Sequence, residues 1–206
     1  MKNKMNTTAI ELVEAGRFMH SKGWVPATSG NFSAKLPDEN IAITTSGVHK
    51  GKMTIDDIML ISSDGIPVDV SSNGNKKPSA ETLLHVQIYR QFKDARSVLH
   101  PHSIYATLLS KTKKDKIILQ DYELLKAFPG IDTHACSVVV PVFKNNQNIE
   151  ELAEVVGKYF NKGIPVFGYL IEGHGFYAWG KSVDDCLKQV EAFEFLFQCE
   201  YMSLKS

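Results

Sequence analysis

Ser97-Val98-Leu99-His100-Pro101-His102-Ser103-Ile104-Tyr105-Ala106 is the stretch on which the fold turns. Its first four residues, with the apolar Val98 and Leu99 at their centre, read as a buried strand. Pro101 breaks regular backbone, and from His102 to Ser110 the apolar spacing returns to the helical period. A strand that passes into a helix through so short a joint marks a chain mixing both elements in one layered unit. On extended backbone, residues i and i+2 face the same side, so His100 and His102 converge. Neutral imidazole suits zinc and similar borderline ions. The same spacing also occurs in an ordinary strand-to-loop turn.

Upstream, Thr8-Ala9-Ile10-Glu11 has the form of a capping box and predicts a helix to about Ser21. Strands are predicted at Asn31–Ala34, Ile41–Thr44 and Ile58–Ser62, with a turn at Pro37–Asn40. Ser71–Pro78 reads as a surface loop leading into a helix from Ser79 to about Phe92. Val138–Pro141 is a strand, Ile149–Phe160 a helix, and Pro165–Ile171 and Phe176–Trp179 are strands around a turn at Glu172–Gly175. Ser182 caps a final helix that runs past Phe197. Strict strand–helix alternation fails in the first third. The expected fold is therefore α/β, with a mixed, largely antiparallel sheet covered by helices on both faces in one domain, residues 1–206.

Composition narrows the function classes. The 206 residues carry 23 Lys+Arg against 23 Asp+Glu and are 43% hydrophobic, enough for a sizeable single core. A zero balance argues against a dedicated nucleic-acid or anionic-membrane binder, which would show a basic excess. A polar start, Met1 to Asn6, and the absence of an apolar run of about 18 residues predict no signal peptide and no membrane span. Cys136, Cys186 and Cys199 are odd in number and lack CxxC spacing, so they read as reduced thiols of a cytoplasmic protein.

A catalytic zinc commonly takes three protein ligands and keeps an open position. The third candidate is His174, whose flanking Gly173 and Gly175 allow close approach to a buried site; a hairpin tip is the plainer reading. His20 reads as a helix-end cap, His85 as structural, and His49 and His134 as exposed loop residues. Three small-donor turns, Ala27–Ser33, Thr44–Gly47 and Pro78–Glu81, together suggest an oxyanion pocket, because nests and helix N-termini hold phosphate without lysine. Glu81 and Glu123 are candidate acid/base carboxylates, and each is equally readable as a solvated charge.

Taken in order, Ser29-Gly30-Asn31-Phe32-Ser33, Thr45-Ser46-Gly47-Val48, Pro78-Ser79-Ala80-Glu81, His100-Pro101-His102 and Gly173-His174-Gly175 resemble the class II aldolase/adducin family over nearly the whole chain. The resemblance implies a three-layer α/β/α fold with a central, mainly antiparallel sheet, assembled as a homotetramer. It also implies zinc on His100, His102 and His174, and a small phosphorylated keto-sugar held by Gly30, Asn31, Ser46, Gly47 and Ser79. The family's phosphate loop often has two serines before the glutamate, whereas Ala80 stands second here.

Gly23–Thr28, Gln120–Lys126, Val140–Val142 and Phe176–Gly180 resemble the family's dehydratase branch, which serves methionine salvage. That branch implies Glu123 as the acid/base, with Glu81 in reserve; the aldolases of the family use the position of Glu81. Aldol cleavage and pentulose-phosphate 4-epimerisation are alternative activities of the same site. A non-catalytic adducin-like interaction module is a further alternative, which loss of the metal histidines would favour; all three are present.

Overall fold

Residues 2–68 and 76–204 are described by the computed structural model, with side chains from Met5 onward. The helices are α1 Lys2–Ser21, α2 Thr82–Gln91, α3 Ile104–Thr112, α4 Ile149–Phe160 and α5 Val183–Ser203. The strands are β1 Asn31–Lys35, β2 Ile41–Thr44, β3 Ile58–Ile61, β4 Ser97–His100, β5 Lys116–Gln120, β6 Ser137–Phe143, β7 Gly168–Ile171 and β8 Gly175–Gly180. They form one sheet in the order β3-β2-β1-β4-β8-β7-β6-β5. Each neighbouring pair is antiparallel except β6 and β7, which run parallel. The sheet is thus mixed and mainly antiparallel, as expected.

Strand alternation sorts the core into two layers. Phe32, Leu99, Phe176 and Ala178 face one way and pack with Leu12, Leu109, Phe193 and Phe197 of α1, α3 and α5. Ile43, Val98, Tyr177 and Trp179 face the other way and pack with Leu84, Ile88, Leu152 and Val156 of α2 and α4. Each fully buried Leu, Ile or Phe in these layers contributes roughly 1.5–3 kcal/mol of transfer free energy. Because β4 is central, its C-terminal end opens where helices from both layers begin. His100 ends β4, and Ser103 caps α3 by accepting from the Ala106 amide at 3.3 Å.

Three expectations need correction. The first helix starts at Lys2 rather than Thr8: no Gly or Pro interrupts residues 2–8, and Met5 packs on the core, so the upstream turns are retained. Helix α2 begins at Thr82, because residues 79–82 close a turn in which the Thr82 amide donates to the Ser79 carbonyl at 3.1 Å. Strand β5 has no counterpart among the expected strands. Its alternation is clear in the fold (Ile117 and Leu119 inward), but the outward Ile118 blurs the polar phase in sequence. Of the loop expected at Ser71–Pro78, residues 71–75 lie outside the described residues, while Pro78 bridges to Thr45. No described helix is long and apolar enough to cross a membrane.

Candidate active site

Glu81, His100, His102 and His174 bring one ligand atom each within 4.8 Å of one another. Three elements deliver them: the turn before α2, the end of β4 with its Pro101 joint, and the β7–β8 turn. His100 Nε2 lies 2.9 Å from His102 Nε2 and 3.4 Å from Glu81 Oε2, while His174 Nε2 lies 3.6 Å from Glu81 Oε1. Close approach of β8 to the joint depends on Gly175, where a Cβ would collide with the Pro101 carbonyl and the His102 backbone. The reading of Gly173-His174-Gly175 as a device for close approach is realised at Gly175.

Protonation states follow from burial. His100 is fully buried; desolvation, then the neighbouring His174, hold its imidazole well below the ordinary range, so it is neutral. Burial, then His100 and His174, push His102 down to about 2. His100 Nδ1 donates to the Phe176 carbonyl at 2.7 Å, which leaves Nε2 as a bare lone pair. Two imidazole nitrogens at 2.9 Å need an electropositive atom between them. Glu81 Oε1 and His174 Nδ1 are buried without hydrogen-bond partners. Neutral nitrogens, an unsatisfied carboxylate oxygen and an aligned outer contact fit a divalent cation.

The three donor turns meet beside this cage. Thr28, Ser29, Gly30, Asn31, Thr45, Ser46, Gly47, Ser79 and Ala80 line one cavity of about 290 Å³ together with Glu81, His102 and His174. Gly30 has φ +77°, and a Cβ there would lie 2.7 Å from the His100 carbonyl. The Ser46 amide donates to the Lys77 carbonyl at 2.9 Å, joining the second turn to the third. Lys50 Nζ donates to the Val48 and Thr28 carbonyls at 2.8 and 3.2 Å, joining the second to the first. Lys50 is 1% exposed, and burial lowers its ammonium to about 8.

All five residues expected at the phosphate line the cavity, but Asn31 is otherwise engaged. Its Nδ2 donates to Glu81 Oε2 at 2.7 Å, and its Oδ1 meets His85 Nε2. Glu123 does not line this cavity. It stands on the surface, 2.5 Å from Lys126 Nζ and 3.7 Å from His134 Nδ1, with Lys126 holding its carboxyl below the usual range. His134 is exposed as expected, whereas His49 is half-buried against His20. Sequence reasoning missed Lys50, and Asn145, Asn146 and Gln147, which roof the cavity before α4. A lysine just after a Thr-Ser-Gly turn was the available signal for the first; nothing local marked the amides.

A three-layer fold with an imidazole–carboxylate cage beside a cavity lined by small donors defines a class, and the chain belongs to it. The family model for the Class II Aldolase and Adducin N-terminal domain matches residues 10–201. A methylthioribulose-1-phosphate dehydratase of Methylococcus capsulatus is 55% identical over 197 residues, 96% of this chain and 94% of that protein. Its counterpart in Pseudomonas savastanoi pv. phaseolicola is 47% identical over 193 residues, 93% of each chain. Among solved structures, YgbL of Escherichia coli superposes with a TM-score of 0.81 at 20% identity, covering 96% of this chain and 90% of that one. The L-fuculose-1-phosphate aldolase of Thermus thermophilus gives 0.73 at 23% identity, covering 99% and 95%. These two likenesses concern the fold.

Proposed function

We propose that this chain is a metal-dependent hydro-lyase that dehydrates 5-methylthioribulose 1-phosphate to 2,3-diketo-5-methylthiopentyl 1-phosphate in methionine salvage. The observation that carries the reading is the joint cavity: donor turns fit for a phosphate lie beside His102, His174 and Glu81. Full-length similarity to the dehydratases supports the same substrate. In this reading the protein is one domain spanning residues 1–206, works in the cytoplasm, and assembles as a homotetramer.

Zinc is the ion we assign to His100, His102 and His174, with Glu81 completing the cage. Bound there, it supplies Lewis-acid polarisation of the substrate's C2 carbonyl. The chain's own residues do the rest. Backbone amides and hydroxyls at Gly30, Ser46, Gly47 and Ser79 anchor the phosphate, which does not react, and so fix C3 and C4 against the acid/base. Asn31 contributes its backbone, since its amide group is tied to Glu81 and His85.

The C3 proton leaves to a carboxylate, and its electron pair forms the C2–C3 enediolate. As the C2 carbonyl re-forms, the pair moves to C3–C4 and the C4 hydroxyl departs, protonated, as water. The resulting enol becomes the 2,3-diketone. Glu81 is committed to the cage, so Glu123 is the assigned proton carrier and Glu81 the reserve. Glu123 lies outside its own chain's cavity, and it acts in this reading on the cavity of a neighbouring subunit.

Purified protein loaded with zinc should convert the phosphorylated methylthioribulose to diketone. Cleavage of fuculose or rhamnulose phosphate to an aldehyde and dihydroxyacetone phosphate, with no diketone, would instead establish the aldolase reading. Glu123→Gln should nearly abolish turnover with zinc retained. Co-assembly of Glu123→Gln with His100→Ala subunits should restore part of the activity, because one supplies intact cages and the other intact carboxylates. A Glu123→Gln enzyme of normal rate transfers the role to Glu81.

A further inference from the structure

Five buried or nearly buried side chains run in a line from the cage along α2. Glu81, His85 and Tyr89 are spaced by four residues, so the turn before α2 and one face of the helix carry all three, about 6 Å apart. Asn31 and Ser33 are two residues apart on β1 and share the sheet face beneath, about 6.6 Å apart. The two spacings nearly match, and the side chains interdigitate. Asn31 Nδ2 meets Glu81 Oε2 at 2.7 Å, Asn31 Oδ1 meets His85 Nε2, His85 Nδ1 meets Ser33 Oγ at 2.7 Å, and Ser33 Oγ meets Tyr89 Oη at 2.8 Å.

The end groups set the direction of every bond. A carboxylate only accepts, so Asn31 donates through Nδ2 and must accept through Oδ1. That places the His85 proton on Nε2. Nδ1 then accepts from the Ser33 hydroxyl, whose oxygen accepts from Tyr89. Burial lowers the His85 imidazole to about 4, which keeps the neutral, one-donor one-acceptor form this chain needs. Every donor points toward Glu81.

We propose that His85 is a positioning residue for the cage: through Asn31 it anchors the Glu81 carboxylate, holding Oε2 at 3.4 Å from His100 Nε2 and Oε1 toward His174. Oε1 is buried without a hydrogen-bond partner, 3.6 Å from His174 Nε2. A second contact acts on the opposite wall. His85 packs edge-on against the Tyr177 ring with centroids 5.6 Å apart, and Tyr177 stacks on His100 at 4.0 Å and 11°. The inference rests on the cage being the metal site, and its test reads the metal rather than turnover.

Zinc affinity by chelator competition, and the visible absorption of the cobalt-loaded protein, are measured in wild type, His85→Leu, His85→Gln and Ser33→Ala. His85→Leu should weaken zinc roughly 10–100-fold, the loss typical of an outer hydrogen-bond partner, and shift the cobalt bands. His85→Gln, which keeps a donor toward Asn31, should recover most of the affinity and the wild-type spectrum. Ser33→Ala should weaken zinc in the same direction by less, and it stands in for His85→Leu should that variant fail to fold. Wild-type affinity and spectrum in His85→Leu, or in Ser33→Ala where it substitutes, would overturn the proposal, as would equal losses in His85→Leu and His85→Gln. Wild-type protein that binds zinc but makes no diketone defeats the dehydratase reading and leaves this test intact. Wild-type protein that binds neither ion overturns the cage and this proposal together.

Discussion

Asn31 and His100 are direct cross-strand partners in the antiparallel pair of β1 and β4. The strand that leaves the first donor turn therefore lies beside the strand that ends in the cage histidines. One backbone contact couples the two halves of the site: Gly30, one residue before Asn31, sits against the His100 carbonyl.

Gly30→Ala tests that coupling. The residue has φ +77°, where a side chain is strained, and its Cβ would lie 2.7 Å from a backbone oxygen that cannot swing away. Overpacking of this kind costs about 1–3 kcal/mol. The urea midpoint should fall accordingly, and zinc affinity should drop with it because β4 must move. A variant with lowered stability and unchanged zinc affinity would show that the strain is absorbed on the β1 side alone.

Metal removal should destabilise the fold. An ion that binds only the native state adds about 2.7 kcal/mol at a free concentration 100 times its Kd. Melting of protein with zinc, with chelator and with zinc restored should show a reversible shift of that order. His100→Ala removes the ligand aligned by the Phe176 carbonyl, and its melting temperature should no longer respond to zinc.

Lys50 should govern the anionic end. Its ammonium holds the Thr28 and Val48 carbonyls and so fixes the spacing of two donor turns. Lys50→Met should raise the inhibition constant of inorganic phosphate roughly tenfold, the worth of one charge-assisted hydrogen bond of about 1.5 kcal/mol. Zinc stoichiometry should stay unchanged. An equal loss of zinc would mean that the lysine supports the whole cavity rather than its phosphate end.

Glu194 on α5 is 4% exposed, and neither of its oxygens has a hydrogen-bond partner. Burial pushes its carboxyl up to about 8, with the nearby Ser103 hydroxyl offsetting only part. The native state thus keeps a proton that the unfolded chain releases near its ordinary value of 4.5. This contribution to stability is fully present below that value and is lost as pH rises through 8. Glu194→Gln removes the dependence. Its unfolding free energy should match wild type near pH 5 and exceed it at pH 8.5 by roughly 2–4 kcal/mol. A constant difference across that range would rule out a buried, protonated carboxyl.

Much of the site was legible because it obeys local periods. His100 and His102 were expected on one side of a strand end, and the Gly173-His174-Gly175 turn was expected to permit close approach; both hold. Positions where two local signals compete were misread. Thr8-x-x-Glu11 looks like a helix start, yet the helix continues upstream because Met5 finds the core. His85 reads as structural in the sequence and is fully buried against Asn31 and Ser33, on the face it shares with Glu81 and Tyr89. What that face touches was not visible in the sequence.

The order of residues settled which side chains share a strand or helix face, because those periods are set by backbone geometry within a few residues. The sequence also settled the neutral balance and the inventory of three donor turns and seven histidines. Which faces meet depends on how the strands pair and the helices pack. Pairing of β1 with β4 and of β4 with β8 joins residues 31, 100 and 176, and packing of α2 on β1 threads Glu81, Asn31 and His85 into one chain. Those contacts arise from strand order and helix packing across some 50 to 76 residues of sequence, a distance over which no local period survives. The same separation leaves Glu81 inside the cavity and Glu123 outside it, a difference that the residues around the two glutamates do not reveal.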